Sequence, residues 1–254
     1  PHLVRRATTA FSSTSNASVL MRKLFALIKE SLTAGEDTDY TGIGVRRAIV
    51  LLSIPMVLEM AMESVFALVD IFFVSKLGKH AIATVGLTES VLTLVYSLAW
   101  GLGMGITAVV ARRTGEKDPS GAARAAMQGV LLAIALGILI AIPGLIFPEK
   151  ILALMGAEPD VLIEGPTYMR IMLGGNVIIL LLFGINAIYR GAGDAAMAMR
   201  SLMLANGMNI ILCPILIHGL GEWGGFGIMG AAMATTIGRG IGVCYQLFHL
   251  FDGR

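Results

Sequence analysis

Residues 123–147 read ARAAMQGVLLAIALGILIAIPGLIF, and the single charge among them, Arg124, stands at the start. A helix of that length rises about 37 Å at 1.5 Å per residue, more than the ~30 Å of a bilayer's hydrocarbon core. Five other stretches read the same way: 48–75, 82–110, 161–188, 198–219 and 227–251, with boundaries good to about four residues. Of the 254 residues, 56% are hydrophobic and 14% charged, and the mean hydropathy is +0.80. A soluble domain carries about 25% charge. Membrane β-barrels are built from strands of about 10 residues with alternating character, and no such alternation is visible. The expected fold is all-α: a polytopic membrane protein whose six transmembrane helices occupy residues 47–251, preceded by a polar cytoplasmic segment over 1–46.

The ends and linkers set the orientation. Residues 1–20 contain Ser, Thr and Arg and no acid. That composition resembles a transit peptide, or upstream sequence translated by accident ahead of Met21. These residues are expected to lie outside the native structure. Residues 22–31 have the pattern of a short amphipathic helix on the membrane surface. Arg46, Arg47, Arg112, Arg113, Lys117, Arg124, Arg190 and Arg200 fall on one side of the bilayer, and Lys76, Lys79 and Lys150 on the other. The richer side is the cytoplasmic one, so both termini are cytoplasmic. Trp223, in the last outer linker, suits an interfacial anchor. Cys213 and Cys244 lie inside apolar runs and form neither a disulfide framework nor a zinc cluster. No nucleic-acid motif is present, and no nucleophile–base or metal constellation suggests an enzyme.

Charges inside spans are costly, which makes each a candidate for function. The first span holds Glu59, Glu63 and Asp70. At 100° per residue, Glu63 lies about 40° and Asp70 about 20° around the helix from Glu59. One narrow stripe therefore carries three carboxylates, which must face protein or a water-filled cavity. There a proton or a cation can neutralise them. The plainer alternative is that the stripe is neutralised by buried hydrogen bonds or by Arg170 or Arg239, but three acids exceed what one structural pair requires. Arg170 and Arg239, each well inside a span, are themselves expected to pair with carboxylates. Glu89 begins the second span and belongs either to the same cavity or to the interface. Thr235 lies one turn from Arg239, and Asn209 one turn from Cys213; a buried Asn bonds a neighbouring helix or offers an oxygen to a cation. The runs Gly101-Leu-Gly103-Met-Gly105 and Gly238-Arg-Gly240-Ile-Gly242 look like nucleotide loops, but neither follows a strand. Helix packing is their expected role.

Several of these stretches together resemble the multidrug and toxic compound extrusion (MATE) transporters. They are Pro55 with Phe66-Ala-Leu-Val-Asp70, Ala111-Arg112-Arg113-Thr-Gly115, Tyr189-Arg190-Gly-Ala-Gly193-Asp194, Asn209-Ile-Ile-Leu-Cys213-Pro214, and Gly230-Ala-Ala-Met-Ala-Thr235. The resemblance implies a secondary antiporter of the inner (plasma) membrane. It would export amphipathic, often cationic, compounds in exchange for protons or sodium ions, with no other cofactor. It also implies two six-helix lobes around a cavity, of which this chain supplies the amino-terminal one. The missing lobe would come from the same polypeptide or from a second copy of the chain. Asp70, Asn209 and Thr235 match ion-site positions, where a sodium ion could sit. Cys213 stands where several members carry a second carboxylate, and a soft thiol is a poor ligand for sodium. The expectation therefore leans towards protons, with Glu59 and Glu63 as further protonatable groups. Two rival readings remain: a flippase of lipid-linked oligosaccharides from the same superfamily, for which the acidic stripe is ill suited, and a non-transporting membrane scaffold.

Overall fold

The computed structural model describes residues 22, 25–33, 42–220 and 223–252. The expectations for residues 1–20 and for the ring of Trp223 fall outside what is described. Residues 25–33 are helical. The long helices follow: α1 Val45–Ser75, α2 Lys79–Gly115, α3 Pro119–Ile146, the short α4 Pro148–Leu154, α5 Val161–Gly174, α6 Asn176–Ala192, α7 Ala195–His218 and α8 Ile228–Asp252. Four segments, α2, α3, α5–α6 and α7, are long and apolar enough to cross a membrane by length and composition alone. With 31 and 25 residues, α1 and α8 rise about 46 and 37 Å. They also carry the charged side chains of the site. Among the described residues, six membrane-crossing segments thus form the fold.

The sequence departs from its simplest reading in two places. The fourth span is two helices, broken at Gly175. A Cβ there would come 2.8 Å from Thr236 Cγ2 and 3.0 Å from the Ile171 carbonyl oxygen. Asn176 covers the break, its Nδ2 donating to the carbonyls of Gly137 (3.1 Å) and Leu173 (3.2 Å). The linker after α7 is not plain loop either. Gly219–Leu220 pairs antiparallel with Trp223–Gly224, as two two-residue strands β1 and β2.

Small residues decide how closely the helices approach. In lipid, association rests on close packing rather than on expelling water. On α3, Gly129, Ala133, Gly137 and Ala141 recur every four residues and all are buried. A Cβ on Gly137 would lie 2.8 Å from the Cα of Val177 on α6. On α8, Gly238 meets the Ala205 carbonyl and Gly242 the Ala205 Cβ, both on α7. The Gly238–Gly242 run is therefore a packing face. In the other run only Gly103 has a neighbour, the Ala187 Cβ at 3.6 Å. Helix α6 is the central element, with Leu180, Leu182, Ile185 and Ala187 fully buried and contacts to α2, α3, α7 and α8. Helix α1 lies at the edge, chiefly on α7. It buries only Leu51, Pro55, Glu59 and Val74, so one of its carboxylates is less exposed than most of its aliphatic side chains.

Candidate functional site

The connector Tyr189-Arg190-Gly-Ala-Gly193-Asp194 fixes one wall of the site. Gly193 takes φ 100°, the left-handed conformation that glycine adopts without penalty. The Gly193 amide bonds the Arg190 carbonyl at 3.2 Å, and the Asp194 amide the Tyr189 carbonyl at 2.8 Å. Asp194 then caps α7, accepting from the Met197 amide at 2.8 Å. Burial raises the Asp194 carboxyl above the usual carboxylate range, against the Met197 amide and Arg200. Arg190 is thereby placed in the last turn of α6. Its side chain turns inward: Nη1 donates to Glu59 Oε1 at 3.0 Å and Oε2 at 3.2 Å, with side-chain exposures of 12% and 7%. Counted from sequence as a cytoplasmic loop charge, Arg190 is in fact the partner of a carboxylate within α1.

Glu59, Glu63 and Asp70 line one cavity of about 440 Å³, together with Glu89, Tyr96 and Trp100 of α2, Phe183 and Arg190 of α6, and Arg239 of α8. Asn206 Nδ2 on α7 donates to Glu63 Oε2 at 3.3 Å. The Cys213 thiol donates to Asp70 Oδ1 at 3.6 Å. Asn209 Nδ2 donates to Thr235 Oγ1 at 3.0 Å, neither residue lines the cavity, and the Asn209 Oδ1 is buried with no hydrogen-bond partner among the described residues. Four carboxylates thus face two guanidinium groups, an excess of acid in a low-dielectric setting that favours cations. A second cavity of about 360 Å³ shares Met56, Trp100, Phe183 and Arg190 with the first and, apart from Thr107, is otherwise apolar. Trp100 and Phe183, 6.1 Å apart between ring centroids, stand between the two.

Two expected pairings are corrected. Arg170 is exposed and meets no carboxylate among the described residues; its Nε donates to the Leu145 carbonyl at 3.2 Å, answering a free carbonyl near the end of α3. Arg239, 4% exposed, has no carboxylate within ion-pair distance among the described residues. Its Nη1 donates to the Tyr96 hydroxyl at 2.9 Å, and its guanidinium lies 5.5 Å from the ring centroids of Phe66 and Tyr96. Aromatic faces attract a cation at this range, and Glu63 and Glu89 act on it through space. In the sequence Asn206 is marked only by the polar row it forms with Asn209 and Cys213 at helical spacing. Tyr96, Trp100 and Phe183 carry no sequence signal apart from their neighbours.

Residues 55–215 match the MatE family model. The chain belongs to the MatE family. A similar protein is "Multidrug export protein MepA" of Staphylococcus aureus (strain MRSA252), 28% identical over 192 residues, 75% of this chain and 42% of that protein. Another is "FAD transporter" of Shewanella oneidensis, 31% identical over 189 residues, 74% of this chain and 42% of that protein. Among solved structures, a MOP superfamily transporter from Pyrococcus furiosus is 35% identical with a TM-score of 0.76, over 89% of this chain and 47% of that one. An outward-facing multidrug resistance MATE transporter matches at 35% identity and a TM-score of 0.75, over 87% and 46%. The chain therefore spans less than half the length of these MatE relatives, and its six-helix unit corresponds to one lobe of their fold.

Proposed function

We propose that this MatE chain is the amino-terminal lobe of a secondary antiporter that exports amphipathic cationic compounds against protons. The observation that carries the reading is the common cavity of Glu59, Glu63, Asp70 and Glu89. Its carboxylates attract a cationic headgroup. The apolar cavity beyond Trp100 and Phe183 accepts an apolar body, the mixed lining usual for small-molecule sites. A proton and a substrate cation compete for the same acids, so one leaves as the other binds. Support for protons rather than sodium comes from Cys213, which gives Asp70 a thiol where an oxygen would suit sodium. The orphaned Asn209 Oδ1 is the feature that favours a sodium ion instead. The acidic lining argues against diphosphate-bearing lipids and against a dianionic flavin nucleotide.

Transport needs two lobes moving about a shared site. On this reading the lobe inserts in the plasma membrane with both termini cytoplasmic and works with a second six-helix lobe. Purified chain in liposomes with an imposed pH gradient tests this. Saturable binding of a lipophilic cationic dye without gradient-driven dye movement is expected. Absence of binding would remove the antiporter reading and favour a scaffold. Movement of dye that Asp70→Asn abolishes would show a complete half-transporter acting as a dimer.

A further inference from the structure

Pro55 interrupts the hydrogen-bond ladder of α1. Its nitrogen carries no hydrogen, so the carbonyl of Leu51, four residues back, lacks its in-helix donor. Leu51 is 2% exposed, so water does not readily replace that donor, and an unbonded buried carbonyl is costly. The donor comes from outside the helix. Ser31, 1% exposed, donates its hydroxyl to the Leu51 carbonyl. Ser31 belongs to the helical stretch 25–33, and two charged contacts hold that stretch in place. Arg47 Nη2 of α1 donates to both Glu30 oxygens at 2.7 and 2.9 Å. Arg200 Nη2 of α7 donates to the Leu32 carbonyl at 2.8 Å. The stretch thus rests on α1 and α7 together, the helices that carry Glu59, Glu63 and Asp70 on one side and Asn206 and Cys213 on the other.

We propose that residues 25–33 are a strap across α1 and α7, and that Ser31 is a positioning residue whose hydroxyl replaces the amide removed by Pro55. Through that contact the strap sets the path of α1 beyond Pro55, and so the register of Glu59, one turn further on, against Arg190. The significance of this register rests on the antiport reading, but the contact itself can be tested with no transported compound present.

Amide hydrogen exchange of the purified chain in lipid nanodiscs reads the turn directly. Ser31→Ala is expected to speed exchange of the Met56–Glu59 amides about five- to tenfold, the loss of one buried hydrogen bond. Ser31→Thr, which keeps the hydroxyl, is expected to exchange like the parent. Pro55→Ala returns a donor to the helix, so adding Ser31→Ala to it is expected to change nothing. If Ser31→Ala folds only when joined to Pro55→Ala, that rescue supports the strap equally. Unchanged exchange in Ser31→Ala, or an equal effect with and without Pro55, would overturn it.

Discussion

Arg190, held in the last turn of α6 by the Gly193 cap, gives both oxygens of Glu59 on α1 a hydrogen bond from one nitrogen, at 3.0 and 3.2 Å. This ion pair ties the edge helix to the central helix, and Arg190 lines both cavities. Removing one partner of a buried pair leaves an uncompensated charge, at a cost of about 3 kcal/mol. Arg190→Gln is therefore expected to lower the thermal midpoint of the purified chain markedly. Glu59→Gln joined to it is expected to restore most of the loss. Additive losses in the double variant would show that the two side chains do not act as a pair.

Cys213 stands beside Asp70 where a carboxylate would complete an oxygen-rich site. Cys213→Asp is expected to create a sodium response: a thermal midpoint that rises with sodium chloride but not with potassium chloride at equal ionic strength. The parent is expected to respond alike to both salts. A sodium-specific rise in the parent would assign the coupling ion to sodium, with Asn209 Oδ1 as a ligand, and would overturn the proton reading.

The approach of α3 to α6 depends on glycine. A side chain at Gly137 would strike the Val177 Cα, which is backbone and cannot turn aside. Gly137→Val is expected to cost about 2 kcal/mol, within the usual range for overpacking. Gly101→Ala, with nothing within 4 Å of the new methyl group, is expected to be neutral or to stabilise by up to about 1 kcal/mol, since alanine forms helix better. Equal effects at the two positions would contradict the packing account.

Asp118 caps α3 outside the membrane, accepting from the Gly121 amide at 2.9 Å and from Ser120. The Gly121 amide, then Ser120, holds its carboxyl below the usual carboxylate range. A carboxyl depressed by folding contributes stability above its unfolded value near 3.9. That contribution is lost as pH falls through the lower folded value. As pH falls below about 4, the parent is expected to lose more stability than Asp118→Asn, which keeps a capping oxygen without titrating there. Identical acid profiles would remove the cap from the account.

The spans were legible because runs of twenty or more apolar residues have few other uses, and the acidic stripe because a period of 3.6 residues puts positions 59, 63 and 70 on one face. Partner choice was less legible. Arg190 sits at a span end, and its inward turn follows from the αL cap at Gly193 and from a neighbour 131 residues away in sequence. Arg239 and Arg170 look alike on the page, yet one lies on two aromatic rings and the other on a carbonyl. The break at Gly175 falls at a Gly174-Gly175-Asn176 step inside a long hydrophobic stretch, and the groups around it are uncharged, so nothing ionic marks it. Ser31 gives no sign in its own surroundings; only the proline 24 positions later makes its hydroxyl matter.

The central claim is that the carboxylates of α1 hold a proton and a substrate cation in turn. The most direct test adds a lipophilic cation to the purified chain in weakly buffered nanodiscs near neutral pH and measures the protons released. The account predicts release that saturates with cation binding and falls sharply in Asp70→Asn, while the folded spectrum is unchanged. Cation binding with no proton release, or release that is undiminished in Asp70→Asn and in Glu63→Gln, would contradict it.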